Sequence, residues 1–146
     1  MITIRRPCLD EIAALALLDK EVFGRHSYSV SSFRQFFDLA GNLLAIATSD
    51  GSIIGYSLIL PAAAGSEGWF MALGVHEDHR RTGVGRALAS AAIEQAKRSG
   101  LHALRLTAEP ENLAAISLYK SLGFEDEELV REYFGPGEDR LVMCLN

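Results

Sequence analysis

The spacing of apolar residues changes period several times along the chain, and each change marks an element. Residues 1–6, MITIRR, alternate between apolar and polar and predict a first strand. LDEIAALALLDKEVF follows with helical spacing, Asp10 as its expected N-cap and Glu11 in its first turn. SVSSFRQFFDLAG predicts a shorter helix with serine caps, a Phe33/Phe36/Phe37 face and Gly41 as its stop. NLLAIATSDGSIIGYSLILP holds two β-rich runs around Ser49-Asp50-Gly51-Ser52, and Asp-Gly is a strong hairpin signal. GWFMALGVH is nearly all apolar and predicts a strand buried on both faces.

The second half repeats the logic. From Val84, residues Ala87, Leu88, Ala91, Ala92 and Ala96 recur at the spacing of one buried helix face, and Gly100 stands where a left-handed stop belongs. LHALRLTA predicts a strand ended by Pro110. NLAAISLYKSL predicts a helix capped by Asn112 and stopped by Gly123. FEDEELVREYF and EDRLVMCLN flank Gly135-Pro136-Gly137 as a closing antiparallel pair. The order β-α-α-β-β-β-α-β-α-β-β predicts one α/β domain over residues 1–146. Its sheet is mixed and mostly antiparallel, with about seven strands and four helices.

Composition narrows the class. At 49% hydrophobic and 23% charged, the 146 residues suit an ordinary globular chain. A net charge of −5 argues against a nucleic-acid partner. No apolar run approaches the roughly 20 residues a bilayer span needs, so no membrane role is expected. MITIRRPCLDE carries charge where a signal peptide needs its apolar core. Cys8 and Cys144 make no disulfide framework or metal spacing, and they suit reduced thiols in the cytoplasm. Monomer and homodimer both remain open.

The chemistry concentrates in VHEDHRRTGVGRALA, residues 75–89. A helix N-terminus leaves N–H groups unpaired and carries partial positive charge. Glycines ahead of it let the backbone close on a ligand, so such a corner suits phosphate oxygens. The Gly-Lys-Ser/Thr ending of a P-loop is absent. The dinucleotide fingerprint fails too, because Leu88 stands at its third glycine. A tight turn with solvated arginines remains the alternative.

Arg80-Arg81-Thr82-Gly83-Val84-Gly85 resembles the Arg/Gln-x-x-Gly-x-Gly/Ala signature of the GNAT superfamily of acyl-CoA-dependent N-acetyltransferases. NLAAISLYKSLGF, residues 112–124, resembles that family's Asn-x-x-Ala-x-x-Leu-Tyr-x-x-x-Gly-Phe segment, and the element order is similar. The resemblance implies a GNAT-like fold and acetyl-CoA as co-substrate, with no metal. The acetyl-CoA would lie in a splay between the corner strand and the LHALRLTA strand. Its pyrophosphate would sit on backbone N–H groups of residues 81–86 (Arg81, Thr82, Gly83, Val84, Gly85 and Arg86), with Arg80 alongside. By the same resemblance Leu73, Gly74 and Val75 present backbone N–H to the acetyl carbonyl, and Asn112 touches the cofactor. Tyr119 protonates the departing sulfur. Packing and helix capping are the bland alternatives for Tyr119 and Asn112.

The base is less evident. Many members, including the RimI type that acetylates the N-terminal alanine of a ribosomal protein, carry a glutamate where this chain has Thr107. Glu109, two residues on, is the nearest substitute; a water chain is the other. Glu67, just ahead of the corner strand, is more remote. A site without a strong base suits an α-amino group of pKa about 8 better than a lysine at about 10.4. VREYFGPGEDRLVMCL resembles the closing hairpin of protein N-terminal acetyltransferases, although Arg140 replaces a small residue there. Tyr133 and Phe134 are expected at the peptide entrance or in cross-strand packing. The acceptor implied first is therefore a protein or peptide N-terminus. A small amine (amino acid, polyamine or drug) and a non-catalytic acyl-CoA-binding module are the alternatives. His76 and His79 do not form His-Glu-x-x-His, so no metal site is expected. The run from Glu125 to Glu128 is expected as a solvated strand edge; Phe23, Tyr28 and Phe33 are expected mostly in the core, with the family resemblance implying that one of them faces the acceptor.

Overall fold

The computed structural model describes all 146 residues. Its elements are β1 (Ile2–Arg5), α1 (Ile12–Phe23), α2 (Val30–Ala40), β2 (Leu44–Ser49), β3 (Ser52–Pro61), β4 (Glu67–Val75), α3 (Val84–Arg98), β5 (Ala103–Ala108), α4 (Leu113–Ser121), β6 (Glu125–Val130) and β7 (Arg140–Leu145). The predicted order holds. Hydrogen bonds join seven strands in the sequence β1-β2-β3-β4-β5-β7-β6, with β4 and β5 parallel. No helix is long and apolar enough to cross a membrane. The backbone falls into two compact units. One comprises Met1–Leu60 and Met71–Ser99, and the other Pro61–Phe70 and Gly100–Asn146.

In the first unit, β1, β2 and β3 form an antiparallel meander closed by the Asp50-Gly51 turn, with a bulge after Ala47. Adjacent β3 residues point to opposite faces. Tyr56 meets Phe33 of α2 edge-on at 5.5 Å, whereas Gly55 faces Leu88 of α3. Apolar helices therefore cover both faces, and this is why Ile54 through Ile59 are all buried. In the second unit, β7 lies between β5 and β6, antiparallel to both. Leu104, Leu106 and Met143 are buried there with Phe70 and Phe124, whose rings lie 6.2 Å apart.

Four expectations need correction. Asp10 does not cap α1; it lies in a 3-10 turn, Leu9–Glu11, that precedes the helix. Glu11 organises that turn: its carboxylate accepts from the Cys8 N–H at 2.7 Å and grips Arg5 through two bonds of 2.8 and 2.9 Å. Arg5 and the Cys8 N–H hold the Glu11 carboxyl at about 2, well below its usual range. On α3, Val84, Leu88, Ala92 and Ala96 are buried as expected, but Ala89 and Ile93 complete the inner face in place of Ala87 and Ala91, which are only half-buried. Strand β4 is not buried on both faces, because Met71 is 40% exposed in its middle. Tyr133 and Phe134 lie in the turn between β6 and β7, not in a ladder, and meet each other edge-on at 4.7 Å.

Candidate active site

The corner begins where β4 ends. The His76 N–H donates to the Ile54 carbonyl at 2.7 Å, and His76 Nδ1 accepts from the Asp78 N–H at 3.2 Å. His76 is thus a cap for the turn Glu77–His79. Arg80 folds back, its Nε donating to the Val75 carbonyl at 3.1 Å, and Thr82 donates its hydroxyl to the His79 carbonyl. Arg80 and Thr82 therefore brace the corner. Arg81 and Gly83 are left-handed, at φ of 63° and 89°, with Thr82 between them outside that region. Such alternation of hand turns successive N–H groups toward one concavity. Gly83 is the N-cap of α3, and the first intrahelical bond runs from the Ala87 N–H to its carbonyl at 3.0 Å. The N–H groups of Val84 and Gly85 thus point out of the helix end, into its partial positive charge. The corner thus presents an exposed concavity made of backbone.

Upstream on β4, Gly74 is buried. A methyl group there would stand 2.9 Å from the Phe23 ring and 3.4 Å from the Tyr56 ring. Its neighbours Leu73 and Val75 are half-buried, packed with Val84 and Leu88. Sequence reasoning missed what lies beside Gly74. Asp19 of α1 is wholly buried, and its carboxylate accepts from the Tyr56 hydroxyl and, at 2.7 Å, from the Tyr28 N–H. Burial raises its pKa against the pull of those two bonds. A signal existed: Asp19 follows Leu15 and Ala16 at i+4 and i+3, on the inner face of α1. Phe23 and Tyr28 are half-buried, and Phe33 is buried.

In the second unit, Asn112 caps α4, its side-chain oxygen accepting from the Ala115 N–H at 3.2 Å. Tyr119 is half-buried with its ring 5.8 Å from that of Phe124, and its apolar surroundings push the phenol up to about 12. Thr107 lies on β5 opposite Val142. Glu109 lies beyond the end of β5, exposed, 3.8 Å from Arg140. Arg140 is buried against the Phe134 ring and also binds Glu138 at 3.0 Å. Glu67 opens β4 and is engaged by Arg105, which also holds Glu127 at 3.1 Å.

A family model described as the acetyltransferase (GNAT) family matches residues 9–124. The chain belongs to this family. An N-alpha-acetyltransferase of Sulfurisphaera tokodaii is 31% identical over 111 residues, covering 68% of this GNAT chain and 66% of that protein. A mycothiol acetyltransferase of Renibacterium salmoninarum is 38% identical over 94 residues, covering 62% of this chain and 28% of that protein. The matches thus span from about a quarter to just under two thirds of these relatives. A crystal structure of the ribosomal-protein-S18-alanine N-acetyltransferase from Escherichia coli aligns with a TM-score of 0.83 at 26% identity. That alignment covers 99% of this chain and 93% of the other, so the GNAT fold extends along nearly all of it.

Proposed function

We propose that the protein is an acetyl-CoA-dependent N-acetyltransferase whose acceptor is the α-amino terminus of a protein or peptide. The observation that carries this reading is the corner, where left-handed Arg81 and Gly83 precede the open N–H groups of α3. A pyrophosphate needs several convergent donors and positive potential, and the corner supplies both from backbone. In this reading residues 81–86 hold the pyrophosphate, and Asn112 borders the cofactor. Backbone N–H groups of the Leu73–Gly74–Val75 stretch polarise the thioester carbonyl.

The reaction is a direct transfer. The neutral amine attacks the carbonyl carbon; the C–N bond forms, the C–S bond breaks, and the sulfur leaves with its electron pair. Tyr119 lies ready to hydrogen-bond that sulfur, which leaves as the thiolate, while the amine nitrogen loses a proton. A phenol near 12 facing a thiol near 8.5 makes complete proton transfer uphill by about 5 kcal/mol. Tyr119 therefore works as a hydrogen-bond donor to the developing thiolate, and it stays protonated throughout the neutral range. The proton on the amine side goes to Glu109 or to a water chain. The α-amino group fits this weak provision, because near pH 7.5 roughly a quarter of it is already neutral. The named N-alpha-acetyltransferase relative and the S18-alanine enzyme support the same acceptor.

The mycothiol acetyltransferase relative favours a second reading, a small-molecule amine. CoA release near pH 8, with product masses checked, separates the two. Turnover confined to peptides with free N-termini is the expected result, and turnover confined to small amines overturns it.

A further inference from the structure

Asp19 is the one carboxylate in the molecule that is fully buried, and its two bonds come from neutral donors. Burying a carboxylate on such terms is costly, and an apolar side chain of like volume would pack there more cheaply. What the carboxylate offers is an acceptor at each end. Oδ1 takes the Tyr56 hydroxyl from β3, and Oδ2 takes the Tyr28 N–H from the segment joining α1 to α2. One turn along α1, Phe23 sets its ring edge against Gly74, and the Tyr56 ring closes on the same glycine. Tyr28 continues the wall, edge-on to Phe33 at 5.9 Å and to Phe36 at 5.0 Å. A single carboxylate thus ties three segments around Gly74.

We propose that Asp19 is a positioning residue for the amine acceptor, fixing Phe23 and residues 24–29 beside the Gly74–Val75 backbone. The proposal rests on the acetyltransferase reading, because Gly74–Val75 is where that reading puts the reacting carbonyl. Asp19 and Tyr56 are both closed to solvent, so neither touches substrate; they act through the wall they hold. Asp19 is held by Tyr56 and Tyr28, whereas Arg80 and Thr82 of the corner are held by the Val75 and His79 carbonyls, so acetyl-CoA affinity should not follow Asp19.

The test compares wild type with Asp19→Asn and Tyr56→Phe. The Asn variant keeps the volume and loses one acceptor. The Phe variant keeps the ring and loses the donor. Kinetics use a short peptide with N-terminal alanine and a small-amine panel; acetyl-CoA binding and amide exchange at Tyr28 are measured alongside. In both variants KM for the acceptor should rise about tenfold, the scale of one lost hydrogen bond to a charged group, with acetyl-CoA KM within about twofold. Exchange at the Tyr28 amide should quicken in Asp19→Asn. Wild-type turnover with an unchanged acceptor KM in both variants, or with both KM values rising together, overturns the positioning role alone. Failure of wild type to acetylate any acceptor while binding acetyl-CoA overturns the enzymatic reading, and this proposal with it.

Discussion

The corner at residues 80–86 and the cluster around Asp19 belong to the same compact unit, yet they are built from different material. The corner presents backbone: its glycine takes a left-handed φ of 89°, and a methyl group there would meet nothing within 4 Å. The cluster presents side chains: Gly74 has no unusual φ, but a methyl group there would strike Phe23. Glycine is needed for conformation in one place and for room in the other. A region made of backbone tolerates side-chain change and fails when its dihedrals change. A packed region behaves the opposite way.

That contrast orders the expected effects. The largest falls outside both regions and sets the scale: Tyr119→Phe should lower turnover about 10²-fold with acetyl-CoA affinity held, the scale of losing one hydrogen-bond donor to developing negative charge. CoA release and calorimetry would check it, and unchanged turnover would remove Tyr119 from the mechanism. Gly74→Ala should come next, costing about 2 kcal/mol of stability by overpacking, read from denaturant midpoints. Gly83→Ala should cost about 1 kcal/mol through strain alone. It should also weaken acetyl-CoA binding, although no atom clashes. Arg81→Ala should change acetyl-CoA affinity by only about threefold, the scale of an exposed charge. A hundredfold loss would mean that the corner binds through its arginines, and the comparison would collapse.

The smallest effect concerns acid. Arg5 and the Cys8 N–H depress the Glu11 carboxyl from 4.5 to about 2. A depressed carboxyl stabilises the fold above its unfolded pKa and loses that contribution as pH falls through the folded one. Stability should therefore decline between pH 4.5 and 2, and Glu11→Gln should flatten that limb in denaturation series.

The sequence showed the two regions unequally, for a physical reason. The corner is local: glycines, a helix start and a strand end within a dozen residues make it readable. Helix stops at Gly41 and Gly100 and the Asp50-Gly51 turn were readable on the same basis, since each is left-handed. The cap of α1 was misplaced because Glu11 answers to Arg5, a strand residue that propensity does not weigh. The apolar run of β4 hid the exposure of Met71, because composition does not report which face is covered. Asp19 stands in LALLDKEVF as a polar residue beside two others, Lys20 and Glu21. Its partner Tyr56 lies 37 residues away, so only the fold brings them together. Where the corner is written in spacing, the wall beside Gly74 is written in packing.

Strand β6 has a consequence for how copies of the protein meet one another. It is last in the sheet order, and Glu125, Asp126, Glu127 and Glu128 all stand exposed along it, with a register shift between Asp126 and Glu128. An open strand edge is a template on which a second chain can add. Here any copy offering its own β6 brings a row of carboxylates against a row of carboxylates, and the bulge spoils the straight run that pairing needs. The edge guards itself by charge, and removing the charge disarms it: light scattering should show self-association in a variant with Glu125, Asp126 and Glu128 all replaced by serine.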